Sequence, residues 1–226
     1  MTDDVDPDSS VCQPLGVAPP ASINPPADHH PGALLASVSV VGGLRVSLRL
    51  ARPSDAPRVR AFLDRLSPET RRRRFGTPQP KVTGALVHHF TFPDPRRRMI
   101  VVATAPLEGA ERIVGIADSA FVRPELAEIA FVVADELQGH GLGHLLAEAA
   151  AALAARRGAR RLKAGISGGG AAGLALMRGI GPTMSVWEDG TTVAYTTLRQ
   201  SEEGEPGTVV GPFGSFPKRF ESRRAS

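Results

Sequence analysis

The sequence predicts a single mixed α/β domain over residues 44–198, flanked by two polar tails. Three observations support this fold class. Short segments rich in β-forming residues are separated by segments with helical periodicity, an Asp-Gly pair marks a hairpin near the end of the domain, and a buried strand runs through a glycine-rich turn into a long helix. Roughly 155 residues are enough for one well-buried core.

The two ends of the chain differ in composition from the middle. Residues 1–43 contain seven prolines and five aspartates, with no lysine or arginine. Few apolar side chains are present there to offset the entropy lost on ordering, so this segment is predicted to be disordered. Residues 199–226 are again polar and rich in glycine and proline, which predicts a flexible C-terminal tail.

Seven segments are rich in apolar and β-branched side chains and are predicted to form strands. They span residues 46–50, 99–104, 113–118, 128–133, 161–166, 184–187 and 192–197. The first alternates in polarity, which is typical of a half-buried strand. The fourth is almost wholly apolar after its first residue, which fits a central strand. The last two flank Asp189-Gly190, a strong hairpin signal.

Helical segments lie between these strands. Ser54 is a suitable N-cap, and the apolar residues that follow it recur at helical spacing. Pro68 stands where the first position of a second, short helix is expected. Residues 142–157 are rich in alanine and stop before a glycine, which predicts the longest helix. Residues 82–90 and 171–177 are candidates for two further helices.

The charge balance bears on possible partners. The chain has a net charge of +4, but residues 44–198 hold 22 basic and 14 acidic side chains, a balance of +8. This excess is compatible with an anionic partner or with a solvated, arginine-rich surface. Aromatic residues do not interleave with the arginines, so nucleic acid is not the expected partner.

Several classes of protein are excluded by simpler features. No apolar run approaches the roughly 20 residues of a membrane span, and the acidic N-terminus lacks the apolar segment of a secretory signal. The single cysteine, Cys12, cannot form a disulfide or a cysteine-based zinc site within one chain. We therefore expect a cytoplasmic protein that does not associate with membranes.

The segment that is most informative about function joins a predicted strand to the longest predicted helix. The apolar strand at residues 128–133 is followed by Gln138, Gly139, Gly141 and Gly143, and then by the long helix. Glycines let backbone N–H groups converge, and a helix N-terminus adds partial positive charge, so the junction is predicted to bind a phosphate or pyrophosphate. It lacks both the G-x-G-x-x-G spacing of a dinucleotide-binding turn and the G-K-[ST] of a phosphate loop.

The pattern Q-x-x-G-x-G, formed by Gln138, Gly141 and Gly143, resembles the pyrophosphate-binding motif of the GCN5-related N-acetyltransferase (GNAT) superfamily. The likeness extends over residues 46–198, where the order of strands and helices is similar to that of the family. It implies a central mixed, mostly antiparallel sheet of six or seven strands, flanked by about four helices and splayed between the fourth and fifth strands.

Two stretches narrow this resemblance to bacterial protein-lysine acetyltransferases. Residues 66–75 are similar to the L-S-P-E-[ST]-R-x-x-R-F segment of those enzymes, and residues 127–131 are similar to their central strand. The resemblance implies an acetyl-CoA-dependent N-acetyltransferase that needs no metal. Its acceptor would be an amine, with a protein lysine as one candidate.

The same resemblance implies roles for individual residues. Glu128, at the start of the fourth predicted strand, takes the place of the general base. The pantetheine arm of acyl-CoA would pair with the strand at Phe131, Val132 and Val133. The pyrophosphate would be held by seven consecutive residues, Gln138, Gly139, His140, Gly141, Leu142, Gly143 and His144.

Other interpretations of these residues remain open. Glu128 is either a base or a solvent-facing glutamate at a strand end, and Glu136 in the following loop is a weaker candidate for the base. His140 and His144 have the spacing of a metal-binding pair, but no third ligand is evident. The family's asparagine after the next strand falls at Gly170, and no tyrosine stands near it, so no general acid is identified.

Three functional hypotheses follow. The first is the N-acetyltransferase, in which the amine attacks the thioester directly. The second is a catalytically weak or inactive GNAT-fold module that binds acyl-CoA and regulates a partner, which the missing asparagine and tyrosine favour. The third is a nucleic-acid-associated protein, whose binding would fall steeply with salt. A monomer and a homodimer are both compatible with the sequence.

Overall fold

The computed structural model describes residues 31–39, 43–76, 81–167 and 170–198. Eight strands in this part of the chain are β1 (Leu34–Ser39), β2 (Arg45–Leu50), β3 (Arg98–Leu107), β4 (Ala110–Arg123), β5 (Leu126–Val133), β6 (Arg161–Ile166), β7 (Thr183–Glu188) and β8 (Thr191–Thr197). They form one sheet in the order β1-β2-β3-β4-β5-β6-β8-β7. Neighbouring strands are antiparallel except β5 and β6, which are parallel.

Five α-helices of the described residues accompany the sheet. They are α1 (Ala56–Arg65), α2 (Pro68–Phe75), α3 (Gly84–Thr91), α4 (Leu142–Arg156) and α5 (Ala171–Ile180). The predicted N-cap of α1, Ser54, is wrong: Ser54 lies inside a 3-10 turn, and Asp55 takes the N-cap position without a side-chain cap bond. Polar residues cap two other helices. The Ser67 hydroxyl accepts a hydrogen bond from the Thr70 N–H at 3.2 Å, and the Thr83 hydroxyl accepts one from the Leu86 N–H at 3.2 Å.

The predicted fold class is confirmed, with one strand more than the seven predicted segments. The five helices correspond to the five helical segments, whereas the resemblance implied about four. The additional strand, β1, lies inside the segment 1–43 that was predicted to be disordered, so that prediction is corrected here. All seven prolines precede it, and its sequence LLASVS is mostly apolar and pairs with β2. The proline content of the segment as a whole therefore concealed a strand at its end. Residues 1–30 and 199–226 lie outside the described residues.

The pairing between β5 and β6 is short. Residues 126–128 of β5 face residues 161–163 of β6, and the register stops at Glu128. Beyond this point β5 continues along β4, whereas β6 continues along β8. The two strands therefore separate after Glu128 and leave a gap in the sheet. They are the fourth and fifth predicted strands, between which the splay was expected.

Helices cover both faces of the sheet. On one face α4 approaches β4 so closely that a Cβ at Gly115 would lie 2.6 Å from Cδ1 of Leu146. Asp118 is three residues further along β4, so its side chain points to the opposite face, where it meets Arg74 of α2 and His89 of α3. Buried side chains of both layers form one core. Within the described ranges, no helix has the length and hydropathy needed to cross a membrane.

Candidate active site

The glycine-rich turn has the backbone conformation that its composition predicts. Gly139 and Gly141 have φ angles of +78° and +85°, in the left-handed region where a side chain would be strained. Gly141 is also the N-cap of α4. Among the described residues, no group accepts a hydrogen bond from the N–H groups of residues 139–143. Consecutive free amides at a helix N-terminus form a favourable site for an anion.

Side chains of α2 hold the start of this turn. Nε2 of Gln138 donates to Oγ1 of Thr70 at 3.0 Å and to the carbonyl of Val133 at 3.2 Å. Asp135 accepts from the Ser67 N–H at 2.9 Å and from the hydroxyls of Ser67 and Thr70 at 2.6 Å each. Burial raises the pKa of Asp135, but these hydrogen bonds outweigh burial and hold that pKa below its ordinary value. The segment at residues 66–75 is therefore joined to the predicted phosphate site.

The edge of β5 that borders the gap presents backbone polar groups. The Ala134 N–H donates to the Val114 carbonyl of β4 at 2.9 Å. Because these groups alternate in direction along a strand, those of Val132 also point to β4, whereas those of Phe131 and Val133 point into the gap. The backbone of Val132 is therefore directed to β4, and among the three residues predicted to pair with a pantetheine arm only Phe131 and Val133 direct backbone groups into the gap.

Glu128 lies where the gap begins. It is the last residue of β5 in register with β6, opposite Lys163, and it also pairs with Ala120 of β4. Its side chain is exposed and shares a face of the sheet with those two residues. The alternative base, Glu136, lies in a 3-10 turn after the strand rather than on the strand itself. The structure therefore puts Glu128, and not Glu136, at the closed end of the gap.

One of the four consecutive arginines points inward. Arg72 and Arg73 pair with Glu69 on the surface of α2, at 2.5 and 2.9 Å. Arg74 instead lies 3.6 Å from Asp118, with only 16% of its side chain exposed. The four arginines therefore do not share one role: Arg72 and Arg73 form ion pairs on the surface, whereas Arg74 packs inside the domain.

The carboxylate of Asp118 gathers three basic side chains. Its Oδ2 accepts from Nη1 of Arg98 at 2.6 Å and lies 3.2 Å from Nε2 of His89 and 3.6 Å from Arg74. Burial lowers the pKa of the Arg74 guanidinium, and attraction to Asp118 and Glu128 opposes that shift. Asp118 pairs with Ala130, two residues from Glu128 on β5, so the cluster and Glu128 share one face of the sheet.

A second polar cluster lies on the other side of the gap. The Tyr195 hydroxyl donates to Glu188 Oε1 at 3.0 Å, and Nζ of Lys163 lies 3.9 Å from Glu188 Oε2. Glu128, Lys163 and Tyr195 are register partners on β5, β6 and β8, so they form a row across the sheet. Sequence reasoning missed this cluster, although the hairpin signal at Asp189 could have placed Glu188 and Tyr195 on paired strands.

The two histidines near the turn have separate surroundings. Nδ1 of His140 lies 2.8 Å from the carbonyl of residue 138, and it carries the proton because a carbonyl can only accept. His144 lies 3.0 Å from Glu148 one turn along α4, and a Cβ at Gly179 of α5 would come within 2.8 Å of its ring. Its N–H already donates within the turn. The structure thus gives His144 a packing role between α4 and α5.

A family model decides the classification. Residues 60–181, more than half of the chain, match the model of the Acetyltransferase (GNAT) family. The chain belongs to the GNAT family. The matched range includes Glu128, the glycine-rich turn and the whole of α4. As a GNAT member, the protein is an acyltransferase, an enzyme that transfers an acyl group to an amine.

Individual GNAT proteins resemble the chain over most of the domain. Acetyltransferase PA5475 of Pseudomonas aeruginosa is 34% identical over 125 residues, which cover 55% of this chain and 67% of that protein. The GNAT domain of S. lividans PAT is 27% identical with a TM-score of 0.64, over 72% of this chain and 96% of that domain. A GNAT superfamily phosphinothricin acetyltransferase (Pat) from Sinorhizobium meliloti, in complex with AcCoA, shares the fold at 19% identity and a TM-score of 0.54, over 72% and 93% of the two chains.

The departure from the GNAT pattern at Gly170 has a local cause. Gly170 is the N-cap of α5, and a Cβ built on it would lie 1.9 Å from Cγ2 of Ile166. An asparagine at this position would therefore require the Ile166 side chain or the local backbone to shift. Because the residue is a glycine, no side chain reaches the gap from here.

Proposed function

We propose that this GNAT protein is an acetyl-CoA-dependent N-acetyltransferase, with Glu128 as the general base. The observation that carries the proposal is the order of three features along one path. The free amides of residues 139–143 come first, the gap-facing backbone of β5 follows, and Glu128 stands at the closed end. Acetyl-CoA has a pyrophosphate, an amide-bearing arm and a thioester in the same order.

The chemistry of these residues fits acetyl-CoA. The amides of residues 139–143 and the N-terminal end of α4 complement the negative charge of a pyrophosphate. The backbone N–H and C=O of Phe131 and the N–H of Val133 suit the amides of the pantetheine arm, since both sides offer peptide donors and acceptors. The Val133 carbonyl already accepts from Nε2 of Gln138. The bound molecule supplies an acetyl group activated as a thioester.

Glu128 removes the proton that the acceptor amine must lose. An ammonium group has no free electron pair, so the acceptor must lose a proton before it attacks. Glu128 has an exposed carboxylate beside the gap and accepts that proton. The N–H groups of β5 that face the gap are donors for the negative charge that develops on the carbonyl oxygen. A thiolate is a good leaving group, so the mechanism does not depend on an acid side chain.

A protein lysine is the acceptor that we propose. The support is the segment at residues 66–75, which is similar to bacterial protein-lysine acetyltransferases and is built into the site. Ser67 and Thr70 hold the glycine-rich turn, while Arg74 pairs with Asp118 on the face of the sheet that carries Glu128. Lysine-containing peptides are therefore the first acceptors to assay, by release of the free thiol.

Calorimetric titration with acetyl-CoA tests the cofactor site. A Gly141→Glu variant places a carboxylate against the free amides at the N-terminus of α4. Gly158→Glu is the matched control, because Gly158 lies just beyond the other end of α4 with a φ of +91° and open space around its Cα. We expect micromolar binding that is lost in the first variant and kept in the second. No binding by the unaltered chain contradicts the proposal.

A regulatory acyl-CoA-binding module is the second candidate, which the glycine at residue 170 favours. It predicts the same calorimetric result but no thiol release with any amine. The two candidates are separated by comparing thiol release in the unaltered protein and in Glu128→Gln, each saturated with acetyl-CoA. Equal background rates in both proteins favour the module.

A further inference from the structure

We propose that Lys163 is a self-acetylation site, at which the enzyme transfers an acetyl group to its own chain. This inference rests on the proposed function, because it uses the same acetyl-CoA site. The first observation is the scarcity of lysine. The chain has 27 lysines and arginines, of which only Lys81, Lys163 and Lys218 are lysines. Of the two lysines that the structure describes, Lys81 and Lys163, it is Lys163 that lies beside the gap.

The register of the sheet places Lys163 at the reacting end of that gap. Lys163 and Glu128 form the last pair before β5 and β6 separate, and their side chains share one face. Adjacent strands are about 5 Å apart, which is within the reach of a lysine side chain. An acetyl group brought to Glu128 for an external amine is therefore also brought to Lys163.

The surroundings of Lys163 leave its amine accessible. Its side chain is 30% exposed, and its ion pair with Glu188 is long, at 3.9 Å between Nζ and Oε2. An exposed pair at this distance contributes little to holding the amine in place. Glu188 itself is anchored by the Tyr195 hydroxyl at 3.0 Å. Lys163 can therefore move toward the gap while Glu188 stays in position.

Glu188 supplies the base for this reaction. One proton passes from the Lys163 ammonium to Glu188, and Nζ then attacks the carbonyl carbon of the thioester. The C–N bond forms, the C–S bond breaks, and coenzyme A leaves as a thiolate that takes up the second Nζ proton. The product is a neutral acetyl-lysine. The modification removes the positive charge beside Glu128 and leaves Glu188 bonded to Tyr195.

Site-resolved mass spectrometry of the full chain incubated with acetyl-CoA tests this proposal. Lys81 is exposed, has no ion pair with another described residue, and reports direct chemical acetylation from solution. We expect Lys163 to gain an acetyl group at least about tenfold faster than Lys81, since a bound donor is held at high effective concentration. Equal rates at the two lysines would overturn the proposal.

Two further measurements sharpen the test. The rate at Lys163 should not change with protein concentration, because donor and acceptor are in one molecule; a proportional rise would overturn transfer within the chain. A Glu188→Gln variant should slow acetylation at Lys163 and leave Lys81 unchanged. Equal slowing at both lysines would contradict the role of Glu188.

Failure of the self-acetylation proposal can be distinguished from failure of the proposed function. If acetyl-CoA does not bind in calorimetry, both proposals fail. If acetyl-CoA binds and an external peptide is acetylated while Lys163 stays unmodified, only the self-acetylation is overturned. A Gly141→Glu variant should reduce the rate at Lys163 to that at Lys81, whereas Gly158→Glu should keep the difference between them.

Discussion

The side-chain amide of Gln138 donates a hydrogen bond to the hydroxyl of Thr70 at 3.0 Å. These residues are 68 positions apart, and each belongs to a separate sequence motif. The same hydroxyl donates to Asp135 at 2.6 Å. It therefore hydrogen-bonds both to the turn before the glycines, through Asp135, and to the side chain of Gln138. The N-terminal turn of α2 and the predicted phosphate site therefore form one unit.

The first prediction concerns this unit. A Thr70→Val substitution keeps the shape of the side chain but removes two hydrogen bonds, each worth about 1 kcal/mol. We expect acetyl-CoA to bind about fivefold to tenfold more weakly, because Gln138 and Asp135 lose a common partner. Calorimetry measures the change.

A matched control is Thr91→Val. The Thr91 hydroxyl donates to the Val87 carbonyl at 2.9 Å within α3, away from the glycine-rich turn. This variant should lower thermal stability without changing the affinity for acetyl-CoA. Equal losses of affinity in the two variants would contradict a specific link between α2 and the turn.

The second prediction concerns the proposed base. A Glu128→Gln variant keeps the size of the side chain but cannot take a proton. We expect kcat for a lysine peptide to fall by about 10²-fold to 10⁴-fold, with acetyl-CoA binding unchanged in calorimetry. Glu136→Gln, on the loop that follows β5, is the control and should keep nearly full activity. A larger loss in the control than in Glu128→Gln would assign the base to Glu136.

The third prediction is a dependence of stability on pH. Asp55 is fully buried, and Arg49 donates two hydrogen bonds of 2.7 Å to its carboxylate. Burial raises the pKa of Asp55. The Arg49 guanidinium and the Arg52 N–H lower it by more, so the pKa of Asp55 lies below its ordinary value. This stabilisation is present above the unfolded-state pKa of about 3.9 and is lost as the pH falls through the lower folded-state pKa.

Urea unfolding of an Asp55→Asn variant checks this dependence of stability on pH. At pH 7 the free energy of unfolding should drop by about 3 kcal/mol, because Arg49 loses its buried counter-charge and keeps only the longer ion pair with Glu111 at 4.0 Å. The difference between the variant and the unaltered protein should shrink on acidification. Asp64→Asn on the exposed face of α1 is the control, with an expected change within about 0.5 kcal/mol. A difference that grew in acid would show that the sign is wrong.

The fourth prediction distinguishes the arginines of α2. Arg74→Met removes one guanidinium from the cluster around Asp118. The ion pair between Asp118 Oδ2 and Arg98 Nη1, which is 2.6 Å long, is retained. We expect the free energy of unfolding to fall by about 1–3 kcal/mol. Arg73→Met on the surface should change it by less than about 0.5 kcal/mol, since exposed ion pairs contribute little. Equal effects, measured by thermal melts, would show that Arg74 is not a buried member of the cluster.

Local sequence patterns predicted most of the domain. The apolar strand at Glu128, the glycines and the alanine-rich helix are contiguous, so their chemistry could be read without knowing what packs against them. The strand at Leu34–Ser39 was missed because the prolines before it dominated the composition of the segment. The packing role of His144 was missed because its contact, Gly179, belongs to another helix.

The sequence by itself determined the order of elements from β2 onward, the glycine-rich turn at the start of α4 and the family. These properties depend on backbone conformation and on neighbours within a few residues. Only the tertiary structure decided that Arg74 pairs with Asp118, that Lys163 lies opposite Glu128, and that Thr70 holds Gln138. Such pairs are set by strand register and helix docking, which bring together residues far apart in the chain, and no local periodicity encodes them.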